Sequence, residues 1–141
     1  MSTPIILLPM DGSPSALRAA KFCTDVAKAF KATVLLLNVQ PEVEDWQTHG
    51  LGEDAAIAHL NDRARSALQD AGHVLSAGDV SYATVVEFGD TAEVIARVAA
   101  DRGCSHVIMG TRGQSGVKGL LMGSVGIKVL HLVTVPVTFV H

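Results

Sequence analysis

Positive charge, aromatic side chains and cysteine are all scarce in this 141-residue sequence. Eleven Lys and Arg stand against fourteen Asp and Glu, a net charge of −3. This argues against a nucleic-acid-binding protein, because phosphate neutralisation needs clustered positive charge. Aromatic residues make up 4%, too few for base-stacking platforms. The two cysteines, Cys23 and Cys104, cannot form a disulfide scaffold and predict a reducing, cytoplasmic environment.

Long hydrophobic runs are also missing. No apolar stretch approaches the roughly 20 residues of a membrane span, and the N-terminus lacks the basic segment of a signal peptide. We therefore expect no membrane association. Hydrophobic residues nevertheless make up 48% and charged residues 18%, a balance that supports a packed core. Because the chain shows no linker or internal repeat, residues 1–141 are predicted to form one domain.

Short apolar runs alternate with helical patterns along the chain. Such runs are typical of strands buried on both faces of a parallel sheet. The predicted strands are residues 5–8, 33–39, 81–88, 106–109 and 137–140, with a helix between each successive pair. The order predicts an α/β fold: a single-domain, open, doubly wound five-stranded parallel sheet with Rossmann-like strand order 3-2-1-4-5 and helices on both faces.

Local signals set expectations for the helices. The first helix is expected to bury Cys23 and Phe30 on its apolar face and to be capped by Ser13 or Ser15. The second is expected to run from about residue 54 to residue 71 and to end at Gly72. The third follows residue 90, and the last is expected over residues 124–132.

Glycine is concentrated where the fourth strand ends. The segment ends in a serine that opens the next helix and contains two basic residues, Arg112 and Lys118; its glycines are Gly110, Gly113, Gly116, Gly119 and Gly123. Glycines allow a ligand to approach closely, and a helix start offers free N–H groups to an anion. In the predicted order, this segment and residues 9–13 leave the sheet where the strand order reverses, which is where such sheets bind ligands.

We interpret the glycine-rich segment as a phosphate-binding loop, and the alternative is a flexible connector whose glycines only form turns. Several familiar motifs are absent from the sequence. It contains no G-x-x-x-x-G-K-[ST], no G-x-G-x-x-G, no G-x-S-x-G and no H-E-x-x-H. Its six histidines show no metal-ligand spacing, so no metal site is predicted.

The spacing from Gly110 through Gly113 to Gly123-Ser124 resembles the G-x2-G-x9-G-[S/T] nucleotide motif of the universal stress protein family. Residues 9–13, 88–95 and 135–137 resemble that family's first-strand end, third-helix entry and last strand, so the resemblance spans nearly the whole chain. It implies an ATP-binding member with a fold like the adenine nucleotide alpha hydrolases, and ATP with Mg²⁺ as its ligand.

The resemblance also implies roles for individual residues. Around the adenine it places Pro9, Met10, Asp11 and the backbone of Val39. Near the ribose it places Met109 and Gly110, and around the phosphates Arg112, Gly113, Gly123, Ser124 and Val125. It further implies a homodimer that pairs through the last strand, Val137 to Val140.

The sequence departs from the family after the phosphate-binding serine. The family commonly has a polar pair there, whereas this chain has Gly126-Ile127. Glycine weakens a helix start and Ile127 adds apolar surface, which bears on the exposed face of the last helix and on dimer packing.

Several of these residues have a second interpretation. Asp11 can order the turn before the first helix, and Ser124 can be a helix N-cap as well as a phosphate ligand. Arg112 and Lys118 can be solvated loop residues. Trp46 can be a lid over the pocket or an anchor for its own loop.

The two cysteines differ in expectation. Cys23 is expected in the core as an inert residue. Cys104, beside Arg102, is expected to be structural, with some thiolate character as the alternative.

The expected function is that of a cytoplasmic, ATP-binding, stress-response regulatory module, in which occupancy alters residues 40–52, the dimer or a partner surface. One alternative is a slow ATPase or autokinase that uses the same cleft. Phosphoryl transfer needs positioned charge, which Arg112 and Lys118 could supply, and a group that orients the nucleophile. Beyond Asp11, the sequence offers no obvious base and no pair of metal-binding carboxylates for that second role. The other alternative is an interaction protein that binds no ligand.

Overall fold

A computed structural model describes residues 2–42, 52–111 and 123–141. In this part of the chain, strands and helices alternate in the order β1 (Ile5–Pro9), α1 (Pro14–Phe30), β2 (Thr33–Gln40), α2 (Glu53–Ala77), β3 (Tyr82–Phe88), α3 (Thr91–Asp101), β4 (His106–Gly110), α4 (Ser124–Leu132) and β5 (Val137–Val140). The strands form one five-stranded sheet in the order β3-β2-β1-β4-β5, and every neighbouring pair is parallel. The predicted fold class and strand order are confirmed.

The sheet is covered on both faces. Alternate side chains of a strand point to opposite faces, so Leu36 of β2 packs with α1 and α2, whereas Leu35 and Leu37 pack with α3 and α4. Because β1 and β2 are buried on both sides, their sequences are continuous apolar runs rather than alternating ones.

Helix α1 begins as its sequence predicts, but one of its expected core residues is exposed. The Ser13 hydroxyl accepts a hydrogen bond from the Ala16 amide at 3.2 Å, and Pro14 occupies the first turn. The prediction that Phe30 is buried is wrong, since it is 67% exposed. The helix stops at Lys31, whose φ is 54°, and the chain turns so that Ala32 fills the core beside β2.

Helix α2 is longer than predicted. Gly72 lies inside it, and the helix continues to Ala77 with Gly78 as its C-cap. A Cβ atom on Gly72 would lie 2.7 Å from the hydroxyl oxygen of Tyr82. The glycine therefore makes room for a side chain of β3, and it does not end the helix.

The remaining elements follow their predictions closely. Asp90 caps α3, whose predicted core residues Val94, Ile95, Val98 and Ala99 are all buried. Helix α4 and strand β5 have the predicted bounds. No helix in the described ranges is both long enough and apolar enough to cross a membrane.

Candidate functional site

A cleft of about 790 Å³ lies at the carboxyl ends of the strands, beside the point between β1 and β4 where the strand order reverses. Nine of the eleven residues that the sequence singled out line this cleft: Pro9, Met10, Asp11, Val39, Met109, Gly110, Gly123, Ser124 and Val125. The other two, Arg112 and Gly113, lie outside the described residues, as do Lys118 and Trp46. Residues from the N-terminal and C-terminal parts of the chain thus meet at the carboxyl ends of the strands.

Strand β2 extends past the end of β1 into the cleft. The pairing of the two strands ends at Pro9 and Leu37, and the Met10 amide then donates to the Leu37 carbonyl at 2.8 Å. The backbone groups of alternate residues in a strand point to the same neighbour, so Val39 directs its N–H and C=O to the β1 side, as Leu37 does. Because β1 has ended there, these two groups of Val39 face the cleft.

Helix α4 presents its N-terminus to the same cleft. Its N-cap is Gly123, whose amide donates to the Thr111 carbonyl at 2.8 Å, and no side chain caps the helix. The prediction that Ser124 is the N-cap is wrong. The Gly123 carbonyl accepts the first helical hydrogen bond, from the Ile127 amide at 3.3 Å, so Gly123 is the boundary residue and Ser124 the first helical one. The amides of Ser124, Val125 and Gly126 form the first turn, where an α-helix supplies no acceptor of its own, and all three residues line the cleft.

Two other helix N-termini reach the cleft, and both are capped. The Ser13 hydroxyl caps α1, and the Asp90 carboxylate caps α3 by accepting from the Glu93 amide at 3.1 Å. Among the described helices at the cleft, α4 alone therefore combines a positive dipole end with uncapped amides. This is the position best suited to an anionic group.

The two motif glycines at the ends of the glycine-rich segment differ in how much room their surroundings leave for a side chain. A Cβ on Gly110 would lie 2.8 Å from the Ser15 carbonyl carbon and 2.9 Å from the Ala16 amide nitrogen. Gly110 is thus required by the packing of β4 against α1. On Gly123 the nearest atom to a Cβ would be the Thr111 carbonyl oxygen at 3.7 Å, an ordinary contact, and its φ is −77°. No described protein contact requires glycine at position 123.

Asp11 has the structural role that the sequence offered as its alternative. Its Oδ1 atom accepts a hydrogen bond from the Ser13 amide at 2.8 Å, and this orders the turn into α1. Gly12 within that turn has a φ of 83°, a conformation that favours glycine. Asp11 is exposed and lines the cleft, so ordering the turn and contacting a ligand are compatible.

One wall of the cleft was missed by the sequence reasoning. It comes from α2, where Arg63, Ser66 and Asp70 lie three or four residues apart and so share one helix face. Gln40 at the end of β2 also lines the cleft. The helical spacing of the polar residues was a usable signal. It does not tell which residues meet the sheet, because that depends on how α2 packs.

An ion pair ties α4 to α3 beside the cleft. The Lys128 ammonium donates to Asp90 Oδ2 at 3.0 Å and lies 3.5 Å from Glu93 Oε1. The pKa of Asp90 is lowered by the Glu93 amide and then by Lys128, and the pKa of Lys128 is raised chiefly by its bond to Asp90. Because both side chains are substantially exposed, the pair orients α4 more than it stabilises the fold.

The cysteines take no part in the site. Burial raises the pKa of the Cys23 thiol to about 12, in line with the expected inert core residue. Burial also raises the pKa of Cys104 and outweighs the opposing effect of Arg102, so the alternative of thiolate character at Cys104 is wrong. In residues 2–42, 52–111 and 123–141, no group of three or more His, Cys, Asp or Glu side chains is placed to hold a metal ion.

Comparisons with known proteins agree with the fold. The family model described as "Universal stress protein family" matches residues 3–141. Universal stress protein YxiE of Bacillus subtilis is 29% identical over 144 aligned positions, which cover 96% of this chain and 97% of that protein. The solved structure of the protein MJ0577 superimposes with a TM-score of 0.81 at 27% identity, covering 99% of this chain and 96% of that one.

A third similar protein was solved with a nucleotide. It is the universal stress protein from Archaeoglobus fulgidus in complex with dAMP, which superimposes with a TM-score of 0.74. The alignment covers 99% of this chain and 98% of that one. At 17% identity this likeness establishes a common fold.

Proposed function

The chain belongs to the universal stress protein family, and on that premise we propose that it is a regulatory protein that binds ATP in the cleft at the carboxyl ends of its strands. The observation that carries the proposal is the uncapped N-terminus of α4, which shares one cleft with the unpaired edge of β2. The dAMP complex of the Archaeoglobus fulgidus protein supports an adenine nucleotide as the class of ligand.

The two polar surfaces suit the two ends of a nucleotide. A base edge presents both donors and acceptors, which match the N–H and C=O that Val39 directs past the end of β1. Phosphate oxygens only accept, which matches the amides of Ser124, Val125 and Gly126 together with the Ser124 hydroxyl. Arg112 and Gly113 complete the phosphate contacts in this proposal. Mg²⁺ would enter with the nucleotide, since it commonly binds through substrate phosphates and keeps several of its waters.

Such a ligand would bridge the ends of β1 and β2 on one side of the cleft and the start of α4 on the other. Its base would contact β1 and β2, and its phosphates would contact α4, which precedes the edge strand β5. Regulation follows if the protein has two arrangements of α4 that differ in ATP affinity, because a ligand shifts a conformational equilibrium only through such a difference. In the cytoplasm, the protein would then report nucleotide binding through the surface formed by α4 and β5.

A calorimetric titration of nucleotide-stripped protein with ATP in Mg²⁺ buffer tests the proposal. Saturable binding is expected at close to one ATP per chain. Gly123→Val should weaken ATP binding by about tenfold or more, because it hinders phosphate approach and so loses a charge-assisted hydrogen bond. Gly52→Val is the matched control. Gly52 is also an N-cap without a side-chain cap bond, it begins α2, and it does not line the cleft.

The control separates ligand binding from helix capping. Both valine variants lose the same favourable glycine cap, so equal effects on thermal unfolding are expected. Absence of saturable ATP binding at two temperatures would overturn the proposal. Equal ATP affinity in Gly123→Val and wild type would show that the phosphates do not sit at α4.

We further propose that two chains form a homodimer through β5. This strand is one edge of the sheet, and its residues are half-buried and mostly apolar. An apolar edge with unpaired backbone groups favours pairing with another strand, and a symmetric dimer would satisfy it.

A further inference from the structure

Gln40 has a buried polar atom that the fold does not satisfy. The residue is 5% exposed and lies in the wall of the cleft. Its Oε1 atom has no hydrogen-bond partner and is the one such buried side-chain atom found among the residues that the structure describes. A buried acceptor without a partner is costly, so natural proteins seldom retain one without a use for it.

The orientation of the Gln40 amide is fixed by a chain of hydrogen bonds. The Met10 backbone carbonyl can only accept, so Asn38 must present its Nδ2 group to it, and does so at 2.8 Å. The Oδ1 atom of Asn38 therefore points to Gln40, which donates to it from Nε2 at 2.6 Å. Reversing either amide would bring two acceptors or two donors together. The side-chain carbonyl oxygen of Gln40, Oε1, is thus the atom left without a partner at the end of this series of hydrogen bonds.

Gln40 lies at the base end of the cleft. Gln40 directly follows Val39, whose backbone groups face the cleft past the end of β1. By strand alternation, Asn38 and Gln40 lie on the sheet face covered by α1 and α2, the same face as Leu36. The Gln40 backbone carbonyl is held by the Gly89 amide at 2.9 Å, which anchors the residue in the sheet.

We propose that Gln40 Oε1 accepts a hydrogen bond from the 6-amino group of the bound purine, beside the bond that this group donates to the Val39 carbonyl, and that Gln40 thereby contributes to the selection of adenine over 6-oxo purines. A lone acceptor calls for a donor on the ligand, and at position 6 adenine offers an amino group where hypoxanthine and guanine offer a carbonyl oxygen. The inference rests on the proposed nucleotide binding and adds its base specificity. Gln40 acts here as a specificity residue with no part in catalysis.

The ligand side of the test uses wild-type protein and three triphosphates. ATP is compared with purine riboside 5′-triphosphate, which lacks only the 6-amino group, and with inosine 5′-triphosphate, which has a 6-oxo group. ATP is expected to bind at least about tenfold more tightly than purine riboside 5′-triphosphate, because the missing 6-amino group would lose two neutral hydrogen bonds, one to the Val39 carbonyl and one to Gln40. Inosine 5′-triphosphate should bind more weakly still, because its carbonyl would face the Gln40 carbonyl.

The protein side of the test removes the acceptor. In Gln40→Met, a near-isosteric apolar variant, the affinity ratio of ATP to purine riboside 5′-triphosphate should fall by about fivefold, because the bond to Gln40 is lost while the bond to the Val39 carbonyl remains. Gln69→Met is the matched control. Gln69 is exposed on α2 and does not line the cleft, so the control should keep the wild-type ratio. Thermal unfolding without nucleotide shows whether each variant folds, and Gln40→Ala is the second variant without the acceptor.

The outcomes separate this inference from the proposed function. Failure of the wild type to bind ATP would overturn both. Binding of ATP and purine riboside 5′-triphosphate with equal affinity, or an unchanged ratio in Gln40→Met and Gln40→Ala, would overturn the role of Gln40 alone.

Discussion

At the scale of single residues, Gly110 and Gly123 belong to one sequence motif, yet the described contacts account for only the first. Gly110 lets the end of β4 pack against the backbone of Ser15 and Ala16. Gly123 has room for a side-chain atom, so folding alone does not require glycine there. One sequence motif can therefore combine a residue needed for the fold with one that is free to serve a ligand.

Gly110→Ala is expected to lower the free energy of unfolding by about 1–3 kcal/mol, because the added methyl group would overlap backbone atoms that cannot easily move. Gly123→Ala should lower it by less than about 1 kcal/mol, since it changes only the preference for an N-cap residue. Urea unfolding midpoints of the two variants and the wild type measure the difference. Equal destabilisation by both variants would contradict the contact assigned to Gly110.

At the scale of elements, Asp90 joins two helices. It caps α3 through the Glu93 amide and binds Lys128 of α4. Since α4 carries the proposed phosphate site at its first turn, this contact holds the site against α3 from the next turn of the helix. Capping and bridging can be separated, because serine caps a helix but carries no charge.

Asp90→Ala should lower the free energy of unfolding by about 1 kcal/mol through loss of the cap, and Asp90→Ser by a smaller amount. Lys128→Met should resemble Asp90→Ser, because each removes the ion pair and leaves the cap in place. Chemical unfolding of the three variants measures this order. A loss in Asp90→Ser as large as that in Asp90→Ala would mean that the ion pair, and not the cap, is the main contribution.

The pH dependence of stability gives a further check on Asp90. Its pKa is lower in the folded protein than its usual value, so its stabilising contribution is complete above the unfolded-state pKa of about 4 and is lost as pH falls through the lowered pKa. The stability difference between wild type and Asp90→Ser should therefore shrink between about pH 6 and about pH 2. A difference that stays constant over this range would rule out the charged form of Asp90 as its source.

At the scale of the whole molecule, the two edges of the sheet differ in character. The β3 edge carries exposed residues at its start, whereas β5 is half-buried and apolar. Next to β5 in sequence, α4 exposes Ile127 and Leu130, each about half accessible. The residue that departs from the usual family pair, Ile127, thus adds to an apolar surface, and Gly126 beside it is buried.

The proposed dimer predicts that the wild type has twice the mass of one chain in light scattering coupled to size-exclusion chromatography. Val137→Lys should shift the protein to the mass of one chain, because it places a charge at the edge that pairs. Val85→Lys is the matched control, since Val85 is likewise half-buried against the same core cluster and lies in β3, the opposite edge. A dimer in both variants, or a monomeric wild type, would contradict pairing through β5.

Most of the elements and the strand order could be predicted from local patterns. Four of the five strands are short apolar runs, and the helices follow a 3.6-residue pattern, two of them with a side-chain cap, at Ser13 and Asp90. These signals are local, so they can be read along the chain. The alternation of strands and helices then allows few topologies, and the site follows at the reversal of strand order.

Features that depend on contacts between residues far apart in sequence could not be predicted from local patterns and are seen only in the folded structure. Gly72 is a plausible helix end from the sequence, but it lies inside α2, where the lack of a side chain makes room for Tyr82 of β3. Phe30 fits an apolar helix face, but the turn into β2 leaves it in solvent. The hydrogen bonds from Asn38 to Met10 and from Gln40 to Asn38 form because β1 ends beside β2. The polar residues of α2 line the cleft because that helix packs over the strand ends. Local patterns specify which elements form, whereas the packing of those elements specifies which polar groups meet in the cleft and which one is left without a partner.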